Sequence, residues 1–220
     1  NGYVQLGKTQ EAEIACRKSL KLNPNLFHSH FLLATILIGQ KKPQEAEQPL
    51  RKNIELKPEG KFFGATGSLS TDDSDIRLLN PSTFMNRSGN SVSALAAYYK
   101  ILPSQILIAH DELDLSAGVA KFKIGGGHGG HNGLRDVIDK LSNDRSFARL
   151  RIGIDHPGNA IQVSSYVLQK PSPQQQVLID RSIENAIRWL HLMIKGDWDK
   201  AMTGLHSEIV PLNQGSKNGL

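Results

Sequence analysis

The chain has 220 residues, 39% apolar and 21% charged, which excludes a disordered polypeptide and allows one large domain or two small ones. A formal charge of +5 is compatible with a polyanionic partner without demanding one. The single cysteine, Cys16, excludes an internal disulfide framework, and the longest apolar run, residues 31–39, is too short to span a bilayer. A cytoplasmic protein with no membrane partner is expected, and because the chain opens on Asn, an upstream start is expected too.

An internal repeat fills the first sixty residues. "QEAE" at 10–13 recurs at 44–47, an offset of 34 residues, and Arg17-Lys18, Leu22 and Pro24 recur as Arg51-Lys52, Leu56 and Pro58. The period, the small Ala12 and Ala46, and the closing prolines resemble the tetratricopeptide repeat. Alanine lets paired helices approach closely, and proline ends the second helix because it cannot extend the hydrogen-bond ladder. One whole repeat (about 25–58) follows the rear part of another (1–24), with Pro49 predicting a kink. Two repeats bury little core, so residues 1–58 read as the end of a longer array, with a peptide or protein partner as the functional alternative.

Composition changes at "KPEGKFFG". From there "IRLLN" (76–80) and "QILIAHDELDL" (105–115) predict strands, with a helix of apolar residues at helical spacing (Val92, Leu95, Ala96, Tyr99) between them. The strand "GVAKFKI", a glycine loop at 125–133, a helix from Leu134, the strand "FARLRIGI", and a long and then a shorter helix follow. Alternating strands and helices predict an α/β fold with a mostly parallel mixed sheet flanked by helices. Residues 207–220 are expected to form a disordered tail.

Ligands of such sheets collect beyond the C-terminal strand ends, where "NPSTFMN" (80–86), "HDELD" (110–114) and "GGGHGGHNG" (125–133) fall. His128 and His131 sit among glycines and not on a helix face, so no rigid pair is offered to a metal. The stretch lacks the Lys-Ser/Thr ending of a nucleotide cradle. Neither metal nor cofactor is expected. Asn86 reads alone as a helix cap, and Lys121 and Lys123 as a solvated strand face.

Taken in order and spacing, "LNPSTFMNRSG", "ILIAHDELDLSAGVAKFKIGGGHGGHNGLRD" and "FARLRIGIDHPG" resemble bacterial peptidyl-tRNA hydrolases across about 61–206. The resemblance implies an α/β fold and an enzyme that cleaves the ester between a peptide and the tRNA 3′-ribose, with tRNA as partner. By the same resemblance, Asp111 supports the catalytic base, while Phe84, Asn86 and Asn132 line the groove for peptide and ribose. Lys121, Lys123 and Arg151 would hold phosphates. Ester hydrolysis needs such groups: a base to activate water, a carboxylate to fix its tautomer, and donors for the oxyanion.

The family's head, a strand and an "NPG" turn leading to an "RHN" whose histidine is the base, has no counterpart here, since no Arg-His-Asn occurs. The first strand and helix of the sheet are therefore expected to be missing and turnover to be impaired, with His131 or His110 as substitute bases. A fusion or assembly junction near residue 60, a non-catalytic RNA-binding module and a tetratricopeptide interaction fragment are the alternatives. A monomer is expected.

Overall fold

The computed structural model describes residues 13–14, 17–18, 55–70 and 75–207. The four early residues are helical, and Arg17 Nε donates to Glu13 Oε1 at 2.8 Å one turn away. The remaining positions of the expected repeat up to 54, and the expected tail beyond 207, lie outside the described residues. The rest divides into two compact units.

The first unit comprises residues up to Leu95 together with Asn132–Val137. Its sheet is an antiparallel meander of β1 (Lys57–Glu59), β2 (Gly64–Ser70) and β3 (Asp75–Pro81). Strand β1 thus begins at Lys57, inside the last residues of the expected repeat. A single 3-10 turn, Gly60–Phe62, reverses the chain between β1 and β2, and Phe63 closes it in the left-handed region at φ 50°. Phe62, only 1% exposed, anchors this reversal in the core.

Helix α1 (Ser88–Tyr99) follows a 3-10 turn at Met85–Arg87. Its Val92 and Leu95, three residues apart on one face, are buried. The fully buried Ser91 is satisfied by donating from Oγ to the Phe63 carbonyl at 2.9 Å. Helix α2 (Asn132–Lys140) contributes buried Leu134 and Val137 to this unit, and the Gly89 N–H donates to Asp136 Oδ2 at 2.7 Å. The helix starts at Asn132, two residues before the expected Leu134.

The second unit comprises Ala96–His131 and the chain from Ile138 onward. Its sheet has the order β4–β6–β5: β4 (Leu107–Glu112), β5 (Ala120–Ile124) and β6 (Ala148–Gly153). Strands β4 and β6 are parallel, and β5 runs antiparallel to β6. The mixed α/β class is as the sequence predicts. The parallel component is smaller than expected: among the described residues it is confined to the β4–β6 ladder. The reason is the short, helix-free connection 113–119, which turns the chain straight back after β4.

Ala120, Phe122 and Ala148 face the long helix α4 (Pro173–Ile194) and α5 (Trp198–Ser207), whose Ala186, Met193, Ala201 and Leu205 complete the core. Helix α4 opens on a reciprocal cap: Ser172 Oγ accepts from the Gln175 N–H at 3.2 Å, and Gln175 Oε1 accepts from the Ser172 N–H at 3.1 Å. Gln175 Nε2 also donates to Asp155 Oδ2 at 3.0 Å, which ties the helix start to the exit of β6. Tyr166, in the short helix α3 (Val163–Tyr166), joins by donating to the Ile154 carbonyl at 2.6 Å.

Helices α4 and α5 pack closely because Gly204 lies against Trp189: a Cβ there would sit 2.5 Å from the indole. The outer edge of β5 is partly capped by α5, where His206 Nε2 donates to the Phe122 carbonyl at 3.2 Å. No helix among the described residues is long and apolar enough to cross a membrane.

Candidate functional site

Strand β5 alternates lysine with apolar residues, and β6 alternates arginine with apolar residues. In the antiparallel ladder Lys121 lies opposite Arg151, and Lys123 lies opposite Arg149. Directly opposed residues share a face, as do residues two apart, so four cations project from one side of the sheet while Phe122 and Ala148 are buried on the other. Opposed like charges destabilise a bare sheet, so such a face needs partners.

Two of the four are tied down. Arg151 Nε donates to Glu112 Oε2 at 2.8 Å, and Glu112 Oε1 accepts from the Asp114 N–H at 3.3 Å. Burial, the largest single influence on Glu112, pushes its carboxyl up, but the Arg151 and Asp114 hydrogen bonds and the Arg151 charge outweigh it. The net position lies below the usual carboxylate value.

Arg149, 3% exposed, lies over the Phe147 ring at 4.8 Å and donates to the carbonyls of Gly126 and Gly127. Its Nε is buried without a partner. Burial first, then the neighbouring Arg151 and Arg145 charges, lower its pKa from the ordinary arginine value. Arg149 thereby holds the start of the glycine stretch, where Gly126 adopts φ 103°, a conformation that favours glycine. The Lys123 side chain passes over the same residue, with Nζ 3.2 Å from where a Cβ would stand.

At the C-terminal end of β4, His131 Nε2 lies 3.1 Å from Asp111 Oδ1. An ionised carboxylate only accepts, so Nε2 carries the proton of this hydrogen bond. The His131 hydrogen bond, ahead of the opposing effect of burial, lowers the Asp111 pKa below the usual carboxylate value. His110 stands beside this pair, its ring edge-on to that of His131 with centroids 5.2 Å apart. Its Nδ1–H donates to the Asp111 carbonyl at 2.6 Å, and its Nε2 is buried without a hydrogen-bond partner. Burial is the main reason the His110 pKa falls below the ordinary histidine value, so the ring is neutral at pH 7.

The structure therefore brings Asp111 and His131 together, and places Lys121 and Lys123 opposite Arg151 and Arg149. In the first unit, Phe84 precedes the 3-10 turn before α1 and Asn86 lies within it, with Phe84 78% exposed. Asn132, the first residue of α2, is exposed and accepts from Arg135 Nη1 at 3.1 Å through its Oδ1. Among the described residues no three metal-ligating side chains gather. Glu112 and Arg149 also belong to this arrangement, and neither is singled out by the sequence alone. The alternation in "ARLRIG" carried the signal for Arg149, because it puts that residue on the face of Arg151.

The family model "Peptidyl-tRNA hydrolase" matches residues 46–212, and "Tetratricopeptide repeat" matches residues 3–26. A peptidyl-tRNA hydrolase of Psychromonas ingrahamii is 57% identical over 157 residues, covering 71% of this chain and 80% of the relative. The Yersinia enterocolitica protein of the same name is 54% identical over 158 residues, covering 72% and 80%. The crystal structure of peptidyl-tRNA hydrolase from Acinetobacter baumannii superposes with a TM-score of 0.69 at 46% identity, over 73% of this chain and 82% of that one.

Proposed function

This chain belongs to the peptidyl-tRNA hydrolase family, and from that premise we propose that it binds peptidyl-tRNA on the cationic face of β5 and β6 and hydrolyses the peptide ester beside Asp111 and His131. The observation that carries the reading is the 3.1 Å approach of Asp111 to His131 at the end of the same sheet that displays the four cations. Lys121, Lys123 and Arg151 would meet phosphates, which fix register without reading sequence. Phe84, Asn86 and Asn132 would meet the peptide and the terminal ribose, as the family resemblance implies.

In the proposed step, the His131 imidazole takes a proton from a water whose oxygen adds to the ester carbonyl carbon. Asp111 holds the ring through Nε2–H and stabilises the imidazolium that forms. The tetrahedral oxyanion collapses, the bond from carbonyl carbon to ribose oxygen breaks, and that oxygen takes the proton from His131. The products are a free peptide acid and tRNA, with no cofactor required. The family's own base belongs to an Arg-His-Asn that these 220 residues do not contain. Turnover should therefore run about 10³-fold or more below that of a full-length relative. Cytoplasmic residence as a monomer fits this role, and residues 1–58 would offer a peptide or protein partner a place to bind.

Single-turnover cleavage of peptidyl-tRNA by the purified chain tests the reading. Slow cleavage is expected, reduced a further ~10²-fold by His131→Ala or Asp111→Asn with tRNA affinity retained. A rate within tenfold of a full-length relative would overturn the impaired turnover. No cleavage with tight binding would leave the second reading, a tRNA-binding module, which the cationic face supports by itself.

A further inference from the structure

A carboxylate on a face that gathers four cations for a polyanion needs a reason. Glu112 opposes phosphate by charge alone, yet it is anchored twice: the Asp114 N–H takes Oε1, and Oε2 takes the Nε–H of Arg151. These two bonds fix the guanidinium plane through its inner nitrogen. The Nη1 and Nη2 donors are left at the far end of the planar group, the edge that matches two phosphate oxygens. The side chain of Arg151 is half-buried, and Lys121 lies opposite it in register. A phosphate arriving there would meet an arginine already oriented, with less rotamer freedom left to lose.

We propose that Glu112 is a positioning residue for RNA: it holds Arg151 by Nε so that Nη1 and Nη2 are presented to a backbone phosphate. The inference rests on the reading that this sheet face binds tRNA. It makes a prediction opposite in sign to simple electrostatics, in which removing a negative charge tightens the binding of a polyanion.

Fluorescence anisotropy with labelled deacylated tRNA provides the test, using the whole chain and its Glu112→Gln, Glu112→Asp, Arg151→Ala and Glu112→Gln/Arg151→Ala variants. Arg151→Ala should weaken binding about 5–10-fold and reduce the salt slope by about one. Glu112→Gln should weaken it about 3–10-fold despite the lost negative charge, and should cost nothing further in the Arg151→Ala background. Glu112→Asp keeps the charge but withdraws the carboxylate by one methylene, so it should show a similar loss and serves if the glutamine variant folds poorly. Unchanged or tighter binding in both Glu112 variants, or additive losses in the double variant, would overturn the positioning role while leaving the tRNA reading intact. If Arg151→Ala and Lys123→Ala both leave affinity and salt slope untouched, the tRNA reading falls and the positioning role falls with it.

Discussion

The two three-stranded sheets are built in contrasting ways. In the first, β1, β2 and β3 pair in the order in which they follow one another in the chain. In the second, β6 arrives late and inserts between β4 and β5. That insertion carries Arg149 and Arg151 into a frame already holding Lys121, Lys123 and Glu112; Glu112 and Arg151 are 39 residues apart in the chain. A meander can form from local contacts, whereas a charge cluster drawn from distant segments depends on non-local pairing. The charged face of the second sheet is therefore only as secure as the apolar face behind it.

The strongest way to break the second sheet is through that apolar face. Phe122 is 2% exposed and packs at the centre of the α4–α5 core. Phe122→Ala should cost about 3–5 kcal/mol, through lost transfer energy and an unfilled cavity. Urea unfolding followed by the fluorescence of Trp189 and Trp198, both partly buried against this core, measures it directly. In the first sheet the corresponding change is Leu69→Ala, at a residue 7% exposed, and a smaller cost of about 2–3 kcal/mol is expected there. A cost below about 1 kcal/mol for Phe122→Ala would show that the cationic face does not depend on this packing.

Much of this organisation was legible in the sequence, for identifiable reasons. The strands around "ILIAHDEL" and "FARLRIG" announce themselves by apolar content and flanking turn residues, and the amphipathic run after Ser172 opens with Ser-Pro, a helix start signal. The hairpin at 57–70 did not announce itself, because β2 is "GATGSLS", poor in the β-branched and aromatic residues that mark strands. Phe84, Asn86, Asn132, Lys121, Lys123, Arg151 and Asp111 were candidates through motif resemblance, and His131 only as a substitute base. The proximity of Asp111 to His131 was not legible, since it depends on the path of a loop whose glycines specify no single conformation. Glu112 and Arg149 were missed for a related reason: a residue that works by holding another looks, in sequence, like one more surface charge.

A second contrast lies between His110 and the neighbouring Asp111, and pH separates their contributions. His110 is buried and its pKa is lowered from 6.5, chiefly by desolvation. The unfolded chain therefore takes up this proton at a higher pH than the folded one. The stability that His110 contributes is present above pH 6.5 and is lost as pH falls through its lower folded value. Asp111, lowered from 3.8 mainly by the His131 hydrogen bond, contributes stability above 3.8 that disappears as pH falls through its own folded value. Unfolding free energy measured from pH 8 downward should decline first below 6.5 and again below 3.8. His110→Gln should reduce the first decline, leaving the part that belongs to His206, whose pKa burial also lowers from 6.5, and should spare the second. A variant that keeps both declines undiminished would remove His110 as a source of the first.

The smallest effect expected is also the most local. Lys123 is exposed on the cationic face, with its stem over Gly126, while Lys57 of the first sheet is exposed beside Glu55 at 3.5 Å. Neither substitution to Ala should change stability by more than about 0.5 kcal/mol, because solvated lysines and their ion pairs contribute little. Their effects on RNA should differ. Lys123→Ala should weaken tRNA binding about 3-fold and lower the log–log salt slope by about one, as expected when a single phosphate is no longer neutralised, whereas Lys57→Ala should leave both unchanged. Equal weakening by the two substitutions would mean that tRNA responds to the chain's overall positive charge and not to the face that β6 completes.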